Sequence, residues 1–180
     1  MTRTLVLLVT SAFTVYAFGA LERQAVPRND TKKFRTEGLF EGGSEVKANL
    51  EDLRIADHNG YERWVVDFSD VAKRSLDKVA PKFQLRYVPG ETVNGADGAM
   101  VMRQSAKFIL SFRAIQRNFI ARDKLAALVK KSRWVQQIIV YPPIEKGDTA
   151  IEFVLKENVA FSPYQPMERE GRLVIDLKAP

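Results

Sequence analysis

The sequence contains no cysteine and a single histidine, His58, among its 180 residues. The lack of cysteine excludes disulfide bonds, thiol nucleophiles and zinc sites with thiolate ligands. One histidine is too few for a metal site built from several imidazoles, and a Ser-His-Asp mechanism would have to use His58. Asp57 precedes it, but nothing in the sequence places a nucleophile and an oxyanion site nearby. We therefore interpret the pair as part of a surface turn.

The sequence also has no run of five or more basic residues, although 28 Lys and Arg against 22 Asp and Glu give a net charge of +6. A dedicated nucleic-acid-binding protein usually concentrates its positive charge, so the pattern argues against a nucleic-acid partner. Mixed, moderately basic charge better fits loose attraction to an acidic polymer or to anionic lipid headgroups. Hydrophobic residues form 46% of the chain, which is enough for a folded core.

No apolar run reaches the ~20 residues of a membrane-spanning helix. Residues 5–18 are mostly apolar, follow Arg3, and place the small residues Ala17 and Gly19 just before a possible cut at Ala20. This pattern is typical of a signal peptide over residues 1–19, with an uncleaved membrane anchor as the alternative. We predict an exported protein that is periplasmic or secreted and has no stable membrane span after cleavage.

The segment 20–45 shows no sustained hydrophobic period and contains the pair Gly42–Gly43. We predict a flexible leader between the export signal and the folded domain. Its few large apolar residues include Phe34, Leu39 and Phe40. These side chains would either be solvated or dock on the domain or on a partner.

The stretch around Asn59–Gly60 is the clearest structural signal. Both residues tolerate positive φ, which predicts a hairpin with a type I′ turn. After the turn, Trp64, Val66 and Phe68 alternate with other residues and should face a core. Before the turn, the parity of the apolar positions changes near residues 51–52, which predicts a β-bulge there.

Similar alternation predicts further strands along the chain. They lie near residues 82–88, 99–102, 106–114, 134–141, 149–156, 158–161 and 172–178. Helical spacing of apolar residues predicts one helix over 117–132, with Lys130 and Lys131 at its favourable C-terminal end. Eight or nine short strands and one helix indicate a mostly β fold, an antiparallel β-sandwich with Greek-key-like connections and an inserted α-helix, over residues 46–180.

The order of several motifs resembles the AMIN and AMIN-like domains of bacterial cell envelopes over residues 46–177. The motifs are Leu-Arg-Ile at 53–55, His-Asn-Gly-Tyr-Glu-Arg-Trp-Val-Val-Asp-Phe at 58–68, the strand 83–88, and the closing strands in 147–155 and 171–177. Two departures from that pattern are the helix near 117–132, which resembles an insertion, and Gly171, where the family often has proline.

The resemblance implies a small sandwich that localises proteins in the envelope. Members occur in cell-wall amidases and in the secretin of the type IV pilus, where they are associated with binding peptidoglycan. We therefore expect an exported, non-catalytic binding module that contacts peptidoglycan and acts as an adaptor or localisation factor. The alternative is an interaction or assembly factor for an envelope complex, such as a pilus or secretin system, that does not bind the wall. No cofactor, metal or enzymatic activity is expected.

Arginine and tyrosine side chains are the candidate ligand-binding groups, because peptidoglycan presents carboxylates and amides that suit guanidinium forks and hydroxyls. The candidates are Tyr61, Arg63, Arg172, Arg54 and Arg86. Tyr61, Arg63 and Arg172 lie in the motifs that resemble the family. Each of the five would otherwise be an ordinary exposed side chain that supports cross-strand pairing.

Two aspartates and two tryptophans were the remaining candidates for chemistry. Asp67 and Asp176 lie in apolar strands, and we predict that they face outward into solvent and do not form a hydrolytic pair. Trp64 shares its parity with apolar neighbours and should belong to the core. Trp134 could either join the core or stack on a sugar ring.

Overall fold

The computed structural model describes residues 22–28, 32–70, 80–94, 100–142, 147–166 and 171–180. The predicted signal peptide over 1–19 lies outside these ranges. Residues 71–79, whose mixed pattern predicts one loose helical turn, also lie outside them. Within the described residues, no helix is long and apolar enough to cross a bilayer.

The described residues form thirteen strands and one helix. They are β1 (Arg23–Ala25), β2 (Leu39–Gly42), β3 (Ala48–His58), β4 (Tyr61–Ser69), β5 (Phe83–Val88), β6 (Glu91–Asn94), β7 (Met100–Gln104), β8 (Lys107–Phe112), β9 (Ile115–Asn118), α1 (Arg122–Lys131), β10 (Val135–Val140), β11 (Thr149–Leu155), β12 (Ala160–Tyr164) and β13 (Arg172–Lys178).

Two larger sheets face each other. One has six strands in the order β1-β2-β5-β8-β11-β10, and the other has five in the order β12-β13-β4-β3-β9. Strands β6 and β7 form a separate two-stranded ribbon. Neighbours are antiparallel except for the pairs β1–β2 and β3–β9, which are parallel. The predicted mostly β, sandwich-like fold with one helix is confirmed, although its sheets are mixed.

Aromatic side chains from both sheets meet in one core. The ring of Trp64 on β4 packs edge-on against Phe153 on β11 with centroids 5.3 Å apart. Phe68 and Phe112 form a second pair across the sheets at 5.1 Å. Each such pair adds about 0.5–1.5 kcal/mol beyond its buried area. Because these residues and Ile175 belong to the same buried cluster, the early and late β segments share one interior, as predicted.

The hairpin between β3 and β4 forms as predicted, with a different turn. His58 pairs with Tyr61 across Asn59 and Gly60. Gly60 has φ of 86°, whereas Asn59 is not among the residues with positive φ. A type I′ turn needs positive φ at both central positions, so that part of the prediction is wrong, and the φ signs are those of a type II turn.

The predicted bulge in β3 is present. The register between β3 and β4 shifts between Leu50 and Asp52. The extra residue turns both Leu50 and Leu53 toward the interior, where each is 0% exposed. The change of parity in the sequence is therefore a local adjustment that keeps both leucines in the core.

The leader predicted over 20–45 needs a correction, because part of it belongs to the sandwich. Strand β2 pairs with β5, and Phe40 is only 2% exposed and packs against Phe161 at 5.6 Å. Farther upstream, Arg35 exchanges two backbone hydrogen bonds with Phe161, of 2.9 and 2.8 Å. The folded part therefore begins earlier than residue 46, because Phe40 fills the core and β2 pairs with β5.

The helix is shorter than the predicted segment 117–132. Strand β9 takes the beginning of that segment, because Ile115 pairs in parallel with Ala48 and is 1% exposed. The Asn118 side chain accepts a 2.9 Å hydrogen bond from the backbone of Ile120 and so supports the turn into α1. Tertiary pairing at the edge of β3 therefore overrides the helical spacing.

Replacing Trp64 with alanine should lower the free energy of unfolding by about 3–5 kcal/mol, because it opens a cavity between the sheets. The outward-facing neighbour gives the control: Val65→Ala should cost about 1 kcal/mol or less. Urea unfolding followed by circular dichroism measures both. Equal losses for the two variants would contradict the inter-sheet packing described above.

Candidate functional site

The structure brings four of the five predicted ligand-binding residues together. Tyr61, Arg63, Arg54 and Arg172 lie on β3, β4 and β13, on the outer face of the five-stranded sheet. Arg86 lies on β5 of the other sheet, where it pairs with Leu39 and Ile109 and is exposed. The predicted group is therefore divided between opposite faces of the sandwich.

Arg63 is fully engaged by a carboxylate on the neighbouring strand. Its Nε and Nη2 donate to the two carboxylate oxygens of Asp176 at 2.7 and 2.8 Å. The guanidinium lies near the rings of Tyr61 and Tyr164, 5.4 and 5.3 Å from their centroids. The hydrogen bond with Asp176 raises the pKa of Arg63 above its ordinary value against the opposing effect of burial. Asp176 itself is 0% exposed, so this ion pair is buried.

Asp67 holds the other two arginines of this face. It accepts 2.7 Å and 2.5 Å hydrogen bonds from the Nε atoms of Arg54 and Arg172. Its side chain is 16% exposed. The expectation that Asp67 and Asp176 are solvated is therefore wrong, because the arginines on adjacent strands cover them. A ligand carboxylate on this face would compete with two fixed carboxylates for the same donors.

Tyr61 is also contacted from several sides. Its ring stacks on His58 with centroids 4.8 Å apart and planes 9° apart. Lys32 donates to the Tyr61 hydroxyl at 3.1 Å, and Phe34 lies 6.4 Å from the ring. Residues upstream of β2 thus cross this face, and the cluster of Tyr61, Arg63, Arg54 and Arg172 forms an internally paired network.

Sequence reasoning missed Glu62, a buried carboxylate on the core side of β4. It is 2% exposed and accepts three 2.7 Å hydrogen bonds, from Trp64 Nε1, Ser132 Oγ and the backbone N–H of Arg133. Its shared parity with Trp64 was the available signal. The contacts bind the end of α1 to β4, which is a structural role.

A groove of about 510 Å³ lies on the outer face of the six-stranded sheet, near the connection between β10 and β11. Strand register places Glu41, Gln84, Ser111 and Ala150 side by side on β2, β5, β8 and β11. Ser111 and Ala150 have small side chains, which leaves the depression open. Its volume is within the ~300–1,000 Å³ typical of small-molecule sites.

Tyr141 stands at the rim of this groove with 44% of its surface exposed. Its backbone N–H donates to Ala150 at 2.9 Å, and its carbonyl accepts from the Thr149 hydroxyl at 2.5 Å. Its own hydroxyl donates to Glu152 at 3.3 Å. The two backbone contacts fix the position of the residue, and the hydroxyl contact orients its exposed ring, which can serve as an aromatic platform.

Two cationic side chains at the groove, Lys82 and Arg113, form weaker ion pairs than Arg63 does. Lys82 Nζ lies 2.7 Å from one Glu45 oxygen, and Arg113 Nη1 lies 3.9 Å from the same oxygen. The side chain of Lys82 is 47% exposed, that of Arg113 is 63% exposed and that of Glu45 is 62% exposed. Exposed pairs of this kind contribute about 0–1 kcal/mol. An incoming anion that binds Lys82 or Arg113 therefore has only a weak ion pair with Glu45 to replace.

Gly147 lies close to the start of β9. A Cβ on Gly147, which has φ of 79°, would lie 2.7 Å from the carbonyl oxygen of Ile115. Ala114, which precedes Ile115, is the non-glycine residue with positive φ in the described ranges, at 57°. These backbone conformations let Gly147 approach Ile115, beside Asp148 and Arg113 of the groove wall.

The described residues contain no group of three or more His, Cys, Asp or Glu side chains arranged to hold a metal ion. What the groove offers is an aromatic platform, neutral hydrogen-bonding side chains and exposed charges of both signs. This combination suits reversible binding of a polar ligand with an apolar face.

Replacing Asp176 with asparagine should lower the free energy of unfolding by about 3–5 kcal/mol, because Arg63 would keep its charge without a carboxylate. Arg54→Ala breaks a more exposed pair and should cost about 1 kcal/mol or less. Urea unfolding measures the difference. The double variant Arg63→Met with Asp176→Leu should recover most of the loss. A double variant as unstable as Asp176→Asn would contradict the buried-charge explanation.

The chain matches no known protein-family profile and no protein of curated function. The similarity to AMIN domains therefore stays a prediction that rests on the order of the sequence motifs.

Proposed function

We propose that this protein is a non-catalytic binding module of the bacterial cell envelope that contacts peptidoglycan through the groove of the six-stranded sheet. The observation that carries the proposal is the fixed, exposed ring of Tyr141 beside the row of Gln84 and Ser111. The signal-peptide pattern and the resemblance to AMIN domains support an envelope location and a role as adaptor or localisation factor.

The chemistry of the groove suits the glycan strand of peptidoglycan. Sugar rings present apolar C–H faces that pack on an aromatic side chain, and their hydroxyl and acetamido groups exchange hydrogen bonds with amides and hydroxyls. Tyr141 supplies the first kind of contact, and Gln84 and Ser111 supply the second. Glu41 accepts a 2.9 Å hydrogen bond from Gln84 and so orients its amide.

The cations at the groove suit the stem peptides of the same polymer. Stem peptides carry carboxylates, which pair with Lys and Arg side chains. Lys82 and Arg113 form exposed ion pairs with Glu45, so a stem carboxylate that binds them replaces weak pairs. On the opposite face, the same carboxylate would have to displace buried Asp176 from Arg63. This contrast favours the six-stranded face as the binding face.

Binding to purified peptidoglycan sacculi tests the proposal. The wild-type protein should sediment with sacculi at low salt and at physiological salt, because salt screens the exposed charges of the groove but not the stacking on Tyr141 or the neutral hydrogen bonds. Tyr141→Ala should weaken retention about tenfold or more, equivalent to a loss of ~1.4 kcal/mol, whereas Tyr141→Phe should keep most of it.

Tyr61→Ala is the matched control, because it removes a tyrosine from the opposite face. It should leave retention unchanged once circular dichroism has shown that both variants are folded. If Tyr61→Ala abolishes retention and Tyr141→Ala does not, the binding face lies on the five-stranded sheet. Failure of the wild-type protein to be retained at low salt would contradict the wall-binding function. Co-purification with an envelope protein would then favour the assembly-factor alternative.

A further inference from the structure

Strand β10 forms one border of the six-stranded sheet and pairs with β11 alone among the described strands. The backbone N–H of Tyr141 donates to Ala150 on β11. Because successive residues of an antiparallel strand bond in alternate directions, the backbone groups of Gln137 and Ile139 also point to β11. Those of Ile138 and Val140 point away from it. In the described part of the chain, neither Ile138 nor Val140 has a backbone hydrogen bond on that side.

The other borders of the two sheets are short, charged, interrupted by proline or bonded by another segment, whereas β10 contacts α1 and has no described strand on its outer side. Strand β1 has three residues and carries Arg23, and β9 has four residues and carries Arg117. Strand β12 contains Pro163, and Arg35 bonds its outer side. Short length, charge, proline and a covering segment are the usual protections of a sheet edge.

Strand β10 has six residues with the sequence Val-Gln-Gln-Ile-Ile-Val, which contains neither charge nor proline. A register shift between Val135 and Gln137 disturbs only its beginning. The remaining part is a regular, uncharged and apolar edge. Edges of this kind are templates for pairing with another strand.

We propose that β10 is a self-association edge, on which a second copy of this chain pairs antiparallel about a two-fold axis. In such a pair the side chain on the axis meets its own equivalent, and the residues on either side of it meet each other, so a charged residue on the axis would face a like charge. The uncharged sequence of β10 meets this requirement in a protein whose net charge is +6. A strand from an unrelated partner would not require it.

The register of this pairing follows from the backbone groups that point outward. If Ile139 lies opposite Ile139 of the second copy, then Ile138 of each copy lies opposite Val140 of the other. These two residue pairs exchange hydrogen bonds in the narrow antiparallel pattern, and all the outward N–H and C=O groups of Ile138 and Val140 gain partners. The half-buried side chains of Ile139 and Val140 become covered at the same time.

Sedimentation velocity of the purified protein tests the proposal, with Ile139→Lys as the disrupting variant. The wild type should show a monomer–dimer equilibrium in the micromolar range. Ile139→Lys would place two lysines opposite each other and should raise the dissociation constant at least tenfold. Gln116→Lys is the control, because it adds the same charge to an exposed position on the border strand β9 and should leave the equilibrium unchanged.

Hydrogen exchange distinguishes loss of pairing from loss of folding. The amides of Ile138 and Val140 should exchange slowly at high protein concentration and quickly on dilution. The amides of Ile139 and Tyr141, which face β11, should stay protected at both concentrations and in the Ile139→Lys variant. A wild type that is monomeric at every concentration would overturn the proposal and leave the edge to a different partner. A dimer that Ile139→Lys does not weaken would also overturn it. Sacculus binding by Tyr141 variants is a separate measurement, so either proposal can fail alone.

Discussion

The packing of aromatic rings between the two sheets is the constraint on which the rest of the structure depends. Trp64 and Phe153 meet from opposite sheets, and faces stacked in this way lie about 10 Å apart. Because side chains alternate along a strand, the inward position of Trp64 sends Arg63 and Val65 to the opposite side. The composition of each outer face is therefore a consequence of which residues the core requires. Any function of this protein must use what those two faces, the borders and the connections offer.

The two outer faces differ in how their charges are satisfied. On the five-stranded sheet, Asp176 binds Arg63 in a buried contact, and Asp67 binds Arg172 and the more exposed Arg54. Charges buried in this way are costly to separate. On the six-stranded sheet, Lys82 and Arg113 share one exposed glutamate beside an open groove. The first arrangement stabilises a particular sheet geometry, whereas the second leaves its charged groups exchangeable. Arginines alone are thus a poor guide to a binding face unless their partners are known.

The sequence was sufficient for features that depend on neighbouring residues and insufficient for those that depend on distant ones. Alternation around Trp64 and the parity change after Leu50 predicted a core strand and a bulge, because both follow from side-chain direction along one strand. The placement of Phe40 depends on its pairing with β5, which lies far along the chain, so the local pattern predicts only a flexible leader for its segment. The groove depends on the register of four strands and on Tyr141, whose backbone bonds to Ala150 and whose hydroxyl bonds to Glu152. Composition does not specify which residues of distant strands lie side by side.

The exposed tip of the first long hairpin and the absence of cysteine together have a practical consequence. The tip lies beyond the ladder of β3 and β4, and a side chain added at Gly60 would meet no atom within 4 Å. Asn59, its exposed neighbour, does not need positive φ and tolerates other residues in the turn. With no native thiol in the chain, Asn59→Cys would provide a unique attachment point for a fluorophore or spin label. Such a label would report on the molecule from a position outside both the groove and the border strand β10.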